Sequence, residues 1–496
     1  MVNVQIDKEI NTKTQVLVVG MFNESHDYFK NLNPELHQKI ADAVKRKKFS
    51  LKKDEYLSVH ITNSVYEKIV VCCLGFENEV SLENIRRAVY NGIYSSQIDK
   101  FSSLTIDLTD ILNNKFDEYD LGVALGESIL MSTYTFENHI SEDKRKTTIN
   151  NISIHMSKKS SKFSLGLRHG QIIGESTNLT RDLVNEPANI VNPDYLEKIC
   201  KMIAKKNKTL KVTVLNRSEL IKKKMGGILA VSSGGGFDPK LIIIEYKGNP
   251  KSKEKYALVG KGITYDSGGL NIKPTGYMED MKIDMGGAGA VIGTMNAVSN
   301  IGIKKNIVGV IPACENMISG SSYRPGDIIR MYNGKSVEVK NTDAEGRLIL
   351  GDALSYAEKD LKADKIIDLA TLTGACMVAL GYEASGLMGT DDELNRALKE
   401  AGFRSYDRVW ELPLFEEYMD QMDNDISDLK SLSSPGNGKY GGAITAGVFL
   451  SKFVENAKWA HIDIAGPAYF EKKRFYVPKH ATGAGVRLLT YLFLKK

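Results

Sequence analysis

Histidine is almost missing from the larger part of this chain: none of its eight lies between His169 and His461. That gap excludes a histidine-rich mononuclear zinc site of the HExxH kind there. Cysteine is scarce as well. The five residues Cys72, Cys73, Cys200, Cys314 and Cys376 are an odd number without framework spacing. A disulfide scaffold is therefore excluded, and a reducing compartment, the cytoplasm, is expected. No apolar run approaches membrane-spanning length, so no membrane partner is expected. Residues 1–7 hold no basic stretch leading into an apolar one, so no secretory leader is expected. A phosphate loop of the G-x-x-x-x-G-K-[ST] type is absent. Charge of one sign is in small excess, +5 over 496 residues, too mild to suggest nucleic acid as a partner. The densest basic run, Lys45-Arg46-Lys47-Lys48 with Lys52 and Lys53, reads as a solvated helix end.

What is present is an ordinary globular composition, 42% hydrophobic and 26% charged, on a chain too long for one core. Short apolar runs at 14–20, 68–75, 104–108 and 152–156 read as buried strands, with a helical pattern at 82–94 between them. A polar break at 157–162 precedes a helical period over 163–184, stopped by Pro187. Beyond it, runs at 212–215, 240–246, 256–260, 307–311, 365–370 and 459–464 alternate with helical patterns. Several are continuously apolar, as strands covered on both faces are. The fold class expected is α/β, two domains, each a mixed or mostly parallel sheet flanked by helices. Residues 1–160 are expected to form an N-terminal α/β domain, 161–185 a connecting helix and 186–496 a second, larger domain. In such sheets ligands gather beyond the carboxyl ends of strands.

The chemistry-bearing residues follow those strand ends. After the run at 256–260 come Lys261, Asp266, Lys273 and Asp284. After a strand-like run at 336–339 comes Asn341-Thr342-Asp343-Ala344-Glu345-Gly346-Arg347, which leads into an apolar, helix-period stretch. Taken alone, Asp343 and Glu345 suit a helix N-cap and an exposed acid near a helix start. Together, the four carboxylates Asp266, Asp284, Asp343 and Glu345 overload one cation but suit two dications. Glycine lies close to each of them and permits close backbone approach. A competing motif, Gly436-Asn437-Gly438-Lys439-Tyr440-Gly441, has the G-x-G-x-x-G form with Asp463 downstream, but no strand leads into it.

These stretches carry a resemblance. The segment 341–348, together with 259–269, 281–287 and 370–375, resembles in order the signatures of the cytosol leucyl aminopeptidase family of two-metal peptidases. The likeness covers roughly residues 165–490. It implies a metal-dependent aminopeptidase that releases N-terminal residues through a metal-bridging hydroxide and prefers leucine-like side chains. The implied metal ligands are Lys261, Asp266, Asp284, Asp343 and Glu345, with Asp266 and Glu345 bridging two ions, Mn2+ or Zn2+. Lys261 would ligate as a neutral amine. Lys273 would contact the substrate carbonyl and the developing oxyanion, and Arg347 would hold a bicarbonate acting as general base. Met281, Thr371, Gly374, Ala465 and Ala468 would line the pocket for the first side chain. Asn341 and Leu372 would contact the substrate backbone. Peptides are the implied substrates and a homo-oligomer, a hexamer, the implied assembly. The tyrosine at 265, where the family usually has phenylalanine, and the loop 232–237 depart from the family pattern without touching the implied ligands.

Two other readings stand beside this one. Some family members also bind DNA in accessory roles, which would require a basic stripe on the folded surface. A nicotinamide-linked oxidoreductase would require nicotinamide binding and indifference to chelators.

Overall fold

The computed structural model describes residues 2–494, apart from 11–12, 24–37, 39–41, 43–51, 62–64, 113–114, 146–147, 159 and 435–437. The basic run at 45–48, His26, His37 and the Gly436-Asn437 step therefore lie outside the described residues. The chain divides into two compact units. One comprises Met1–Asn178 and Lys473–Pro478, the other Leu179–Lys472 and Lys479–Lys496. The helix Ser161–Asn185 contributes its last turns to the second unit, and the 473–478 stretch belongs to the first.

The first unit is a six-stranded sheet of β1 (Asn3–Asp7), β2 (Val16–Met21), β3 (Tyr56–His60), β4 (Lys68–Cys73), β5 (Ser103–Asp107) and β6 (Asn151–His155), in the order β1-β6-β5-β2-β4-β3. All neighbours run parallel except the β3–β4 pair. Every residue of β2 and of β4 is buried, as expected for strands covered on both faces. The helix Leu82–Ile98 starts from a capping box between Ser81 and Asn84, which satisfies its first amides.

The second unit contributes β7 (Leu210–Leu215), β8 (Lys240–Lys247), β9 (Lys255–Gly260), β10 (Gly262–Asp266) and β11 (Asn306–Asn316), then the short β12 (Ile328–Arg330) and β13 (Ser336–Glu338). There follow β14 (Lys365–Ala370), β15 (Ser385–Gly389), β16 (Val409–Glu411), β17 (Leu429–Lys430), β18 (Lys458–Asp463), β19 (Tyr469–Phe470) and β20 (His480–Ala481). The main sheet has nine strands along the path β16-β15-β18-β14-β9-β11-β8-β7, with β10 paired onto the far end of β11. Strands β18, β14, β9, β11 and β10 run parallel, so their carboxyl ends share one edge. All eleven residues of β11 are buried. The sheet is thus mixed, parallel at its centre and antiparallel toward β7 and at the β15–β18 pair. Runs such as β10 and β15 escaped the sequence pattern, because each is only five residues long and carries glycine.

Candidate active site

The carboxyl edge of the parallel strands collects the charged residues. Lys261 follows β9 directly and Asp266 ends β10, where its pairing with Asn316 closes the β10–β11 ladder. Asp284 sits in the single turn Met281–Met285, which runs into the helix Gly286–Ile301. Glu345 occupies the N-cap position of the helix Gly346–Lys359, yet its carboxylate caps nothing and is only 2% exposed. The capping role that this stretch suggests in isolation is therefore not the one it plays. Two glycines make the approach possible. Gly268 adopts φ 86°, a left-handed backbone that side chains disfavour. A Cβ on Gly346 would stand 2.6 Å from Cε of Lys261.

The side chains form one connected set. Lys261 Nζ lies 2.7 Å from Asp284 and 2.8 Å from Glu345 and donates to the Thr371 carbonyl at 2.9 Å. Lys273 Nζ lies 2.7 Å from Asp266 and 2.5 Å from Asp343. One carboxylate oxygen from each of Asp266, Asp343 and Glu345 falls within 4.8 Å of the others. The Thr371 hydroxyl donates to Asp284 Oδ1 at 2.8 Å. The Asn341 side chain accepts from the Asp343 amide at 2.8 Å.

Four carboxylates thus face two ammonium groups, with Asp266, Asp284 and Glu345 buried and Asp343 partly open to solvent. Burial pushes the Asp266 carboxyl up, the Glu345 charge adds to that, and Lys273 and Lys261 pull it back only to about 7. Burial also raises Asp284 well above the usual carboxylate range and, less strongly, Asp343. Burial works against ionised Glu345 too, but the two lysines outweigh it and its pKa is lowered. Burial disfavours charged Lys261, and Asp284, Glu345 and Asp266 more than offset this, so its pKa stands above the ordinary lysine value. With all four carboxylates ionised, the two lysines would leave two negative charges unbalanced, and the raised pKa values show how unfavourable that is without a further cation.

The oxygens fit a metal. Asp284 Oδ2 is buried without a hydrogen-bond partner among the described residues. Asp343 Oδ1 and Glu345 Oε1 sit at ion-pair distance from lysine nitrogens, yet outside hydrogen-bond geometry. Hard oxygen donors left unsatisfied in a buried, negatively charged cluster suit divalent cations.

The remaining expected residues are placed around this set. Arg347 is buried, which lowers its pKa to about 10. It donates to the Ser431 carbonyl at 2.8 Å rather than to the cluster. Leu372 and Ala465 are tied together, each donating its amide to Asp463 Oδ1 at 3.1 Å. Thr373 donates its hydroxyl to the other oxygen of Asp463 at 2.7 Å. Asp463 is therefore committed to two loops and is not open to a ribose. The strand that comes before the glycine-rich 436–441 stretch, β17, belongs to a separate three-stranded sheet. Met281 is half-buried in the same turn as Asp284. Gly374 opens a helix with free space before it, and Ala468 is buried after β18.

Two residues went unseen in the sequence. Asn316 Nδ2 donates to Asp266 Oδ1 at 2.7 Å and to the Thr342 carbonyl at 2.9 Å. Thr342 Oγ1 donates to the Gly268 carbonyl at 2.7 Å and accepts from the Asn271 amide at 2.8 Å. The only signal for Asn316 was a polar residue closing a long apolar strand.

Comparison with known proteins agrees with this geometry. Residues 178–490 match the catalytic-domain model of the cytosol aminopeptidase family, and 18–142 match its N-terminal-domain model. The chain belongs to the cytosol aminopeptidase family. It is accordingly an aminopeptidase, a hydrolase. A probable cytosol aminopeptidase of Protochlamydia amoebophila is 42% identical, over 90% of this chain and 89% of that protein. One from Azotobacter vinelandii is 39% identical, over 98% and 97%. Among solved structures, a tomato leucine aminopeptidase mutant superposes with a TM-score of 0.88 at 32% identity, covering 100% of this chain and 97% of that one. The bottromycin maturation enzyme BotP in complex with Mn superposes with a TM-score of 0.86 at 26% identity, covering 97% and 99%. No described helix is long and apolar enough to cross a membrane.

Proposed function

We propose that this aminopeptidase removes single residues from free N-termini, prefers leucine-like side chains, and uses two divalent ions, manganese or zinc. Lys261, Asp266, Asp284, Asp343 and Glu345 would hold the ions, within a catalytic domain at 186–496 joined by the helix 161–185 to an N-terminal domain at 1–160. The observation that carries this reading is buried Asp284 Oδ2, without a hydrogen-bond partner among the described residues, in a set of four carboxylates that only two lysines face. Two bound dications would polarise the scissile carbonyl, supply a hydroxide nucleophile at neutral pH and seat the α-amino group.

The chain's own groups do the rest. Lys261 would have to release a proton to solvent, and with it its ion pairs to Asp284 and Glu345, in order to act as a ligand. Lys273, now spanning Asp266 and Asp343, donates to the oxyanion as it develops. Arg347 keeps a buried positive charge that suits a small anion such as bicarbonate as general base. Asn341 and Leu372 align the substrate backbone, while Met281, Thr371, Gly374, Ala465 and Ala468 exclude water from its first side chain. The cytosol is the compartment proposed, and a homo-hexamer the assembly. Assay of aminoacyl amides on protein reconstituted with Mn2+ or Zn2+, with and without chelator, tests the reading. Full activity after exhaustive chelation, or equal cleavage of an N-acetylated peptide and its free counterpart, would refute it.

A second reading, duplex DNA binding beside the peptidase activity, has one observation in its favour. The starts of β9, β11, β14 and β18 share the edge of the sheet opposite the carboxylates. There Lys208, Lys211, Lys247, Lys251, Lys253 and Lys304 are all exposed. The nearby Glu254 is already engaged by Lys305 at 3.1 Å and Lys365 at 2.8 Å. This lysine rim is hidden within a net charge of only +5. Phosphate contacts would make duplex binding fall steeply with salt. Salt-independent or absent retention on duplex DNA would remove this reading.

A further inference from the structure

We propose that Gly286 sets the depth of the pocket for the substrate's first side chain, with Ile464 closing the same end. This rests on the peptidase reading of the site above. Gly286 is buried and opens the helix that follows Asp284. A Cβ placed on it would stand 3.2 Å from Thr371 Cγ2, 3.8 Å from Ile464 Cδ1 and 3.9 Å from Ala468 Cβ. Two segments far apart in sequence from Gly286 therefore converge on the face where it lacks a side chain: the loop after β14 and the loop after β18. Two of the three distances are ordinary van der Waals contacts, so the space is the size of one methyl group. The third is tighter, and Thr371 has little freedom to yield, since its hydroxyl is bound to Asp284 at 2.8 Å. A methyl group on Gly286 would occupy that space. Gly286 has φ −57°, so the backbone itself accepts a side chain there.

The expectation is a change in the length of side chain accepted. One methylene in an apolar pocket is worth roughly 10–200-fold in discrimination. Gly286→Ala should therefore lower kcat/KM for leucyl amide relative to alanyl amide by about tenfold or more. Ile464→Ala should shift the preference the opposite way, raising phenylalanyl amide relative to leucyl amide. Both variants and the parent protein are assayed with saturating Mn2+ on the three amides. Thermal-shift titration with free leucine and free alanine provides a readout independent of turnover, and leucine should lose affinity in Gly286→Ala more than alanine does. If Gly286→Ala does not fold, Ile464→Ala decides alone. Equal factors across all three amides in both variants would overturn the inference while leaving the peptidase reading intact. A parent protein inactive on every amide would overturn both.

Discussion

At the scale of single residues, the cluster separates groups that would hold metal from a group that would act on the substrate. Glu345 is buried, caps no helix and meets Lys261 at 2.8 Å. Glu345→Ala is expected to lose metal and activity together, because in the proposed site it would hold both ions. Lys273 touches two of the carboxylates only as a counter-ion. Lys273→Ala is expected to retain both metals and to lose about 10²–10³ in kcat, the usual cost of one oxyanion donor. Metal content and kcat measured on both variants check the assignment; a metal-free Lys273→Ala protein would contradict it. Arg347→Ala should cost less, since solvent or buffer can replace a general base that it only positions.

At the scale of elements, the site depends on two turns staying in register. Thr342 links the turn after β10 to the turn before the helix Gly346–Lys359, through the Gly268 carbonyl and the Asn271 amide. Asn271 returns the bond by accepting from the Thr342 amide at 2.8 Å. Thr342→Val keeps the volume and removes the hydroxyl's bonds, leaving the buried Gly268 carbonyl without this donor. It should cost about 1–3 kcal/mol, read as a lower urea midpoint with an unchanged slope. An unaltered midpoint would show that the clamp is idle.

At the scale of the whole molecule, the first unit carries its own pH dependence. His155 Nδ1 lies 2.8 Å from Asp107, which raises the histidine's pKa against the opposing effect of burial. A raised folded-state pKa means that the stabilisation is complete below the unfolded value, about 6.5, and fades as pH rises through the folded one. His155→Ala should therefore destabilise more at pH 5.5 than at pH 8.5 in urea unfolding. Equal costs at the two pH values would show that the pair contributes no charge interaction. At the carboxyl edge of the main sheet the electrostatics are set instead by carboxylates and lysines, most of them buried.

The α/β class, the long buried strands and the carboxylate set were legible without coordinates. Period-two and continuous apolar runs report burial directly, and Asp266, Asp284, Asp343 and Glu345 lie in short glycine-flanked turns whose local spacing survives folding. Roles that depend on which strand lies beside which were not legible. Asn316 became a partner of Asp266 only because β10 pairs onto the end of β11. Asp463 became the tie between two loops because β14 and β18 are neighbours in register. Likewise Gly286 faces Thr371 and Ala468 across more than eighty residues of chain, and the lysine rim forms only once parallel strands align their starts. Contacts of that kind are settled by sheet order and crossover connections, which local periodicity does not encode.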